Sequence, residues 1–390
     1  MNRISKNLLL GLIFICVQTW TPNLWAADQI KFQTKAVRIG NPSLKIFPKQ
    51  DSPDIYARSV WDMQSYEGRI YFGCGDLRIN RGPVPVWSFQ NKSKEIQFKE
   101  EIVVDEEEVR LIRAYGDVLL IPGSDAKESW DFGNIYLKRK GAWQKLRTIP
   151  HGLHVFDAAI FKGDIYVYIT SEGYSAVLQS KDMALTWSDF LKEKQRESRS
   201  ALSGFGPVVP LKESLVVLGY FEGDPCVYEY KNNGIHKHIV SLFPASDSYR
   251  SFGRAVGFKE GVLYTPLVYS RLKKPAPLLY LENVEKDSKI IEKFRNDHVR
   301  DIVISGEKCF VLTACQEDAS YRGQIFMSRD LSTWILKAEF HVSALPYSME
   351  VLNGIFFIGL GHTFLPDKWD RGKGKDWASG EESGSIWRIE

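Results

Sequence analysis

The chain has 390 residues, 44% of them hydrophobic and 25% charged, with 51 Lys and Arg against 48 Asp and Glu. It is long and apolar enough to bury a large core, which excludes a disordered polymer. A net charge of +3 over this length excludes the dense basic face that nucleic-acid binding requires. The 11 Trp, 17 Tyr and 22 Phe favour strands over helices.

Residues 1–26 read as a secretory signal. Arg3 and Lys6 supply a basic start, Leu8 to Val17 form an apolar run of ten, and Leu24-Trp25-Ala26 ends in a small residue suited to cleavage. The run is too short to span a bilayer, and no later stretch reaches about 18 apolar residues. The expectation is an exported protein, periplasmic or extracellular, without stable membrane insertion, its mature part being residues 27–390.

Residues 30–39 (Ile-Lys-Phe-Gln-Thr-Lys-Ala-Val-Arg-Ile) read as a strand. Beyond it, an apolar strand, a polar turn and a second apolar strand recur seven times. The turns are Tyr66-Glu67-Gly68, Tyr115-Gly116-Asp117, Phe161-Lys162-Gly163, Leu211-Lys212-Glu213, Phe258-Lys259-Glu260-Gly261, Ser305-Gly306-Glu307 and Leu352-Asn353-Gly354. Their spacing averages about 48 residues, room for the four short strands of one propeller blade. A later strand is legible in each unit, such as Val84–Phe89 and Cys226–Tyr230. The only other element suggested is a short charged connector at Trp187–Gln195 that could be helical.

The fold expected is therefore all-β, a single seven-bladed β-propeller with six blades as the alternative. The blades lie near 54–104, 105–150, 151–198, 199–244, 245–294, 295–341 and 342–390. The last unit is one strand short at Glu390, so the strand at 30–39 is expected to complete it and close the ring, leaving no open edge. Of the mature cysteines, Cys309 and Cys315 lie roughly 20 Å apart along one strand, too far to bridge. Cys74, Cys226, Cys309 and Cys315 read as buried thiols.

Ser180-Lys181-Asp182-Met183-Ala184-Leu185-Thr186-Trp187 resembles the Asp-box, Ser-x-Asp-x-Gly-x-Thr-Trp, of the sialidase-like (BNR-repeat) propellers. Ser328-Arg329-Asp330-Leu331-Ser332-Thr333-Trp334 resembles it with one residue fewer. Both fall between the third and fourth strands of their units, where that family carries the motif, although Ala184 replaces the usual Gly. In such a box the Asp binds turn amides and the Trp packs under the hairpin. The resemblance implies the fold. The family's catalytic set includes an Arg-Ile-Pro segment that this chain lacks, so the resemblance does not extend to sialidase activity.

Chemistry is expected at the channel mouth, where the first strand of each blade begins. Aligned on the turns, one position reads Asp62, Leu111, Asp157, Pro207, Arg254, Asp301 and Ser348, with Arg113 and Glu350 two residues further along their strands. Asp62, Asp157, Asp301 and Glu350 are the acid/base candidates of a glycoside hydrolase, with Tyr347 a remote nucleophile candidate. They could equally be repeated structural braces. Arg113, Arg254 and Arg300, with Arg110, could grip a polar or anionic sugar. Asp76, Asp125 and His362 share a loop position on the same face, and His154 and His298 open the phrases leading to Asp157 and Asp301. The loop from His362 to Ser383 carries Trp369 and Trp377 among Asp and Lys, the composition of a sugar platform or of a solvated surface loop. No cofactor motif is present; Ca²⁺ held by carboxylates is conceivable, but no motif identifies a metal. The partner expected is a glycan or another small polar ligand, bound with or without turnover.

Overall fold

Each unit starts with a hairpin fixed by its turn residues. Glu67 and Gly68 both have positive φ, 48° and 70°. This is the two-residue turn whose twist matches that of paired strands, and glycine takes it without strain. Lys162-Gly163 and Asn353-Gly354 repeat it.

The computed structural model describes residues 34–50, 52–76, 81–91, 96–129, 131–171, 173–194, 204–221, 224–244, 251–267, 275–362 and 380–390. Among them the strands form seven four-stranded antiparallel sheets, a seven-bladed β-propeller. Blade 1 runs Met63–Tyr66, Arg69–Gly73, Val84–Phe89 and Lys99–Val104, and blade 2 Arg113–Tyr115, Val118–Pro122, Phe132–Arg139 and Ala142–Pro150. Blade 3 comprises His154–Phe161, Asp164–Ser171, Tyr174–Ser180 and Ser188–Lys194; blade 4, Gly204–Pro210, Leu215–Phe221, Asp224–Lys231 and Gly234–Ile239. Blade 5 comprises Phe252–Phe258, Gly261–Pro266, Leu279–Leu281 and Lys289–Ile290; blade 6, Val299–Ser305, Lys308–Glu317, Ser320–Ser328 and Ile335–Val342. Blade 7 takes Leu345–Leu352, Ile355–Gly361 and Ile386–Ile389, and its outer strand is the N-terminal Ala36–Gly40.

That last pairing is the expected closure. Ala36 lies opposite Ile389 and Val37 opposite Arg388. Lys35 and Glu390 exchange backbone hydrogen bonds of 3.2 and 2.9 Å. Residues 30–33 of the expected strand, and the expected signal at 1–26, lie outside the described residues.

The core is not central. It consists of seven apolar clusters, each between two neighbouring blades. Val60, Met63, Phe72 and Phe89 of blade 1 meet Leu352, Phe357 and Ile386 of blade 7, which makes the ring continuous. Equivalent sets join blades 1 to 2, 2 to 3, 3 to 4, 4 to 5, 5 to 6 and 6 to 7. Between blades 1 and 2 a buried Lys138–Glu101 pair (3.0 Å) is added, with Lys138 over the rings of Tyr71 and Trp143.

Two expectations need correction. The connector expected at Trp187–Gln195 is not helical in its described part: Ser188–Lys194 is the outer strand of blade 3, because its residues pair with Tyr174–Gln179, and Gln195 lies outside the described residues. Cys315 is not buried, although Cys74, Cys226 and Cys309 are. The hairpin carrying it continues to Glu317 and Ser320, past the packed part of blade 6. Among the described residues no helix is long and apolar enough to cross a membrane.

The Ser-x-Asp turns lie at the ends of third strands, on the face opposite the channel mouth. Asp182 Oδ1 accepts hydrogen bonds from the backbone N–H of Leu185 and Thr186 (3.2 and 2.9 Å) and from Ser180 Oγ (2.8 Å). The Thr186 hydroxyl bonds Asp182 Oδ2 at 2.5 Å and leads the interactions that hold the carboxyl down at about 2. Asp330 takes the Ser332 and Thr333 amides in the same way (2.9 and 2.8 Å). Trp334 packs edge-on against Phe294, centroids 4.6 Å apart.

Candidate functional site

The innermost strands carry a repeated irregularity. In blades 3 to 7 the pairing of the first two strands slips at one place, between Val155 and Asp157, Phe205 and Val208, Phe252 and Ala255, Val299 and Asp301, and Pro346 and Ser348. Such a bulge breaks the strict alternation of side chains. Two successive residues can then serve different layers. Phe156, Arg300 and Tyr347 line a cavity at the mouth, as does Trp61 just before blade 1. The residues that follow, Asp157, Asp301, Ser348 and Asp62, are buried and bond across to a neighbouring blade.

These bonds link blade 1 to 2, 3 to 4, 6 to 7 and 7 to 1. Asp62 Oδ2 accepts the Ile112 N–H leading into blade 2 (2.8 Å), Asp157 Oδ2 the Val208 N–H of blade 4 (3.0 Å), and Asp301 Oδ2 the Met349 N–H of blade 7 (2.7 Å). Asp157 and Asp301 also accept the N–H of their own following residue, each at 2.8 Å. Ser348 Oγ donates to Val60 O (2.8 Å). Glu350, one layer deeper, accepts Ser65 N–H of blade 1 at 2.6 Å and Val351 N–H at 2.7 Å. All four acid/base candidates thus sit at 3–7% exposure, each holding backbone of an adjoining blade. That is the geometry of braces.

Arg254 crosses the channel. From blade 5 its Nη2 reaches Asp62 Oδ1 of blade 1 (2.7 Å) and its Nε reaches Asp301 Oδ1 of blade 6 (2.8 Å). Burial opposes its charge, but Asp301 and Asp62 outweigh that and raise its pKa. Arg113 of blade 2 approaches Asp62 Oδ2 at 3.7 Å. Burial raises the carboxyls of Asp157 and Asp301 despite the arginines. Burial pushes Glu350 up to about 7, with Asp301 and Asp62 adding to the effect.

Above this floor lies a cavity of about 340 Å³, within the usual size of small-molecule sites. Its cations are Arg110, Arg113, Arg254 and Arg300, its one described carboxylate is Asp157, and its aromatic lining includes Trp61, Phe156, Phe252 and Tyr347. Trp61 is fixed by its indole N–H on Gly75 O (2.8 Å) and meets Tyr347 edge-on at 4.9 Å. Arg300 stacks over Tyr347, 4.5 Å from the ring centroid, and its buried Nε has no hydrogen-bond partner among the described residues.

Other expected residues lie elsewhere. Asp76, Asp125, His154, His298 and His362 are not among the described lining residues. Asp76 is buried, and its N–H donates to Glu107 O (2.9 Å). A His154 ring nitrogen lies 2.9 Å from Ser124 O and 3.9 Å from Asp125, whose carboxyl burial raises. His298 O accepts the Ala314 N–H, and His362 N–H donates to Ser59 Oγ (3.0 Å). Trp369 and Trp377 lie outside the described residues. Sequence reasoning missed the run Glu106-Glu107-Glu108, buried between blades 1 and 2. There burial raises Glu106 and Glu107 to about 7, and the Asn134 amide and Tyr136 hydroxyl donate to Glu106. It also missed Trp61 and Phe156 as cavity walls. Among the described residues no three His, Cys, Asp or Glu side chains are grouped to hold a metal.

No family model matches the chain, and no curated protein matches it. Solved propellers do. One from Bacteroides uniformis, described as a putative 6-phosphogluconolactonase, aligns with TM-score 0.52 and 10% identity over 80% of this chain and 98% of its own. The propeller domain of the Trilobed protease from Pyrococcus furiosus, described as having an open velcro topology, gives 0.50 and 10% over 79% and 93%. A polysaccharide lyase of the ulvan-lyase family gives 0.48 and 11% over 84% and 91%. At these identities the likeness is one of fold.

Proposed function

We propose that this chain is an exported propeller of the sialidase-like, Asp-box type that binds an acidic glycan at the channel mouth without necessarily transforming it. The observation that carries this reading is the cavity itself. Four arginines line it, and Arg300 is stacked on Tyr347 with no ion pair among the described residues. A guanidinium held this way offers donors to a carboxylate or sulfate ester, and Trp61 and Tyr347 offer apolar faces to a sugar ring. The turns at Asp182 and Asp330 have the hydrogen bonds an Asp-box requires, which supports the family reading.

Binding is favoured over hydrolysis by where the carboxylates lie. A glycosidase places two carboxyls about 5–10 Å apart across its substrate. Here Asp157 alone among the four acid/base candidates lines the cavity, while Asp62, Asp301 and Glu350 are engaged below it. The test is a binding screen of acidic and neutral oligosaccharides against wild type and Arg300→Gln. Acidic ligands should bind wild type and lose at least tenfold in the variant, with thermal stability preserved. Equal affinity for neutral and acidic sugars, or an unaffected variant, would refute the reading. Release of a reducing end or an unsaturated sugar would show an enzyme instead.

A further inference from the structure

The geometry points to a proton switch beneath the cavity: gain or loss of one proton on the carboxylates of the channel floor, centred on Glu350, sets how tightly the mouth holds an anion. This rests on the reading that the mouth binds anions. The floor holds four carboxylates, Asp62, Asp157, Asp301 and Glu350, against two guanidinium groups, Arg113 and Arg254. Arg254 is committed to Asp62 and Asp301, and Arg113 leans on Asp62. Glu350 has no ion pair among the described residues.

The elements packed around Glu350 show why it is the weak point. Blade 1 presents the Ser65 N–H, the Gln64 amide (3.3 Å) and the Asp62 carboxylate; blade 6 presents Asp301; Arg254 arrives from blade 5 already paired. Two backbone amides favour the carboxylate, whereas burial and two neighbouring anions disfavour it. The balance falls near neutrality. Below that pH Glu350 is a neutral acid and the positive field of the arginines reaches the cavity less opposed. Above it, a further negative charge appears under the site. By linkage an anion in the cavity must draw a proton onto the floor, and its affinity must fall as pH rises.

Inorganic sulfate is the probe of choice because it does not titrate in this range. Its affinity for the full mature chain should fall about tenfold between about pH 6 and about pH 8, the order of effect expected of one unit charge acting through protein. In Glu350→Gln the slope should vanish. An identical slope in the variant overturns the switch. Should the variant fail to fold, calorimetry of the wild type decides: sulfate binding in two buffers of different ionisation heat must show proton uptake near pH 7, and no uptake overturns the proposal. Sulfate binding with this pH dependence and no acidic oligosaccharide binding would discard the glycan reading and keep the switch. Binding of neither probe would discard both.

Discussion

Replacing Arg254 with methionine tests the channel floor directly. The side chain is about 10% exposed and neutralises Asp62 and Asp301, each about 4% exposed, through contacts of 2.7 and 2.8 Å. Methionine fills most of the volume and leaves two carboxylates facing each other in a buried site. Removing one partner of a buried pair costs about 3–5 kcal/mol. With an unfolding entropy of about 2.1 cal/mol/K per residue over the unit Gln33–Glu390, that lowers the melting temperature by about 4–7 °C. The loss must depend on pH, and its sign is fixed. Burial already raises the Asp301 carboxyl, and without the arginine that counters it the folded pKa stands further above the unfolded value. The penalty is therefore full above the raised value and disappears as pH falls toward about 4. Urea unfolding at about pH 5 and about pH 8 should show the larger deficit at the higher pH, and Asp301→Asn added to the variant should recover part of it. A loss under about 1 kcal/mol, equal at both pH values, would refute the idea that Arg254 ties blades 1, 5 and 6 together.

Three further outcomes follow from the fold. A chain beginning at Asp51 lacks the outer strand of blade 7, and should unfold at lower urea concentration than one beginning at Ala27 and self-associate through the bared Ile386–Ile389 edge, as scattering would show. Asp182→Ala should lower the melting temperature without altering sulfate or glycan affinity. Because the turn holds Asp182 down at about 2, its contribution is present above about pH 4 and lost as pH falls toward 2, so the variant and wild type should converge in acid. Glu101→Gln, which leaves Lys138 buried beside Tyr71 and Trp143 without its carboxylate, should cost about 3 kcal/mol in chemical denaturation.

Much of the architecture could be read from the chain because a propeller repeats its local signals. A turn such as Lys162-Gly163 announces a hairpin wherever it stands, and seven in register leave little choice of fold. The missing fourth strand pointed to the N-terminus by the same arithmetic. The site was less legible. That Asp62, Asp157 and Asp301 share a position was visible, but their partners are backbone amides of other blades, and an amide has no sequence identity. The reach of Arg254 across the channel depends on the ring's diameter, which no spacing encodes. Phe156 stayed hidden because alternation assigns neighbours to opposite faces, and only the slipped pairing places it over Asp157; Trp61 stayed hidden because it lies outside the paired strand, just before Met63. Cys315 was misplaced because apolar patterning does not show where a long hairpin outruns its sheet.

The slipped register in the inner strands separates two jobs that usually compete for the same side chains. The anchoring contacts at the slips are made by Asp157, Asp301 and Ser348 to main-chain atoms. Phe156, Arg300 and Tyr347, one step earlier in the chain, take no part in those anchoring contacts. Their identities can be exchanged while the scaffold's fastening stays intact. A propeller built this way can change the side chains lining its mouth at one set of positions while the contacts that fasten its blades are inherited from the next.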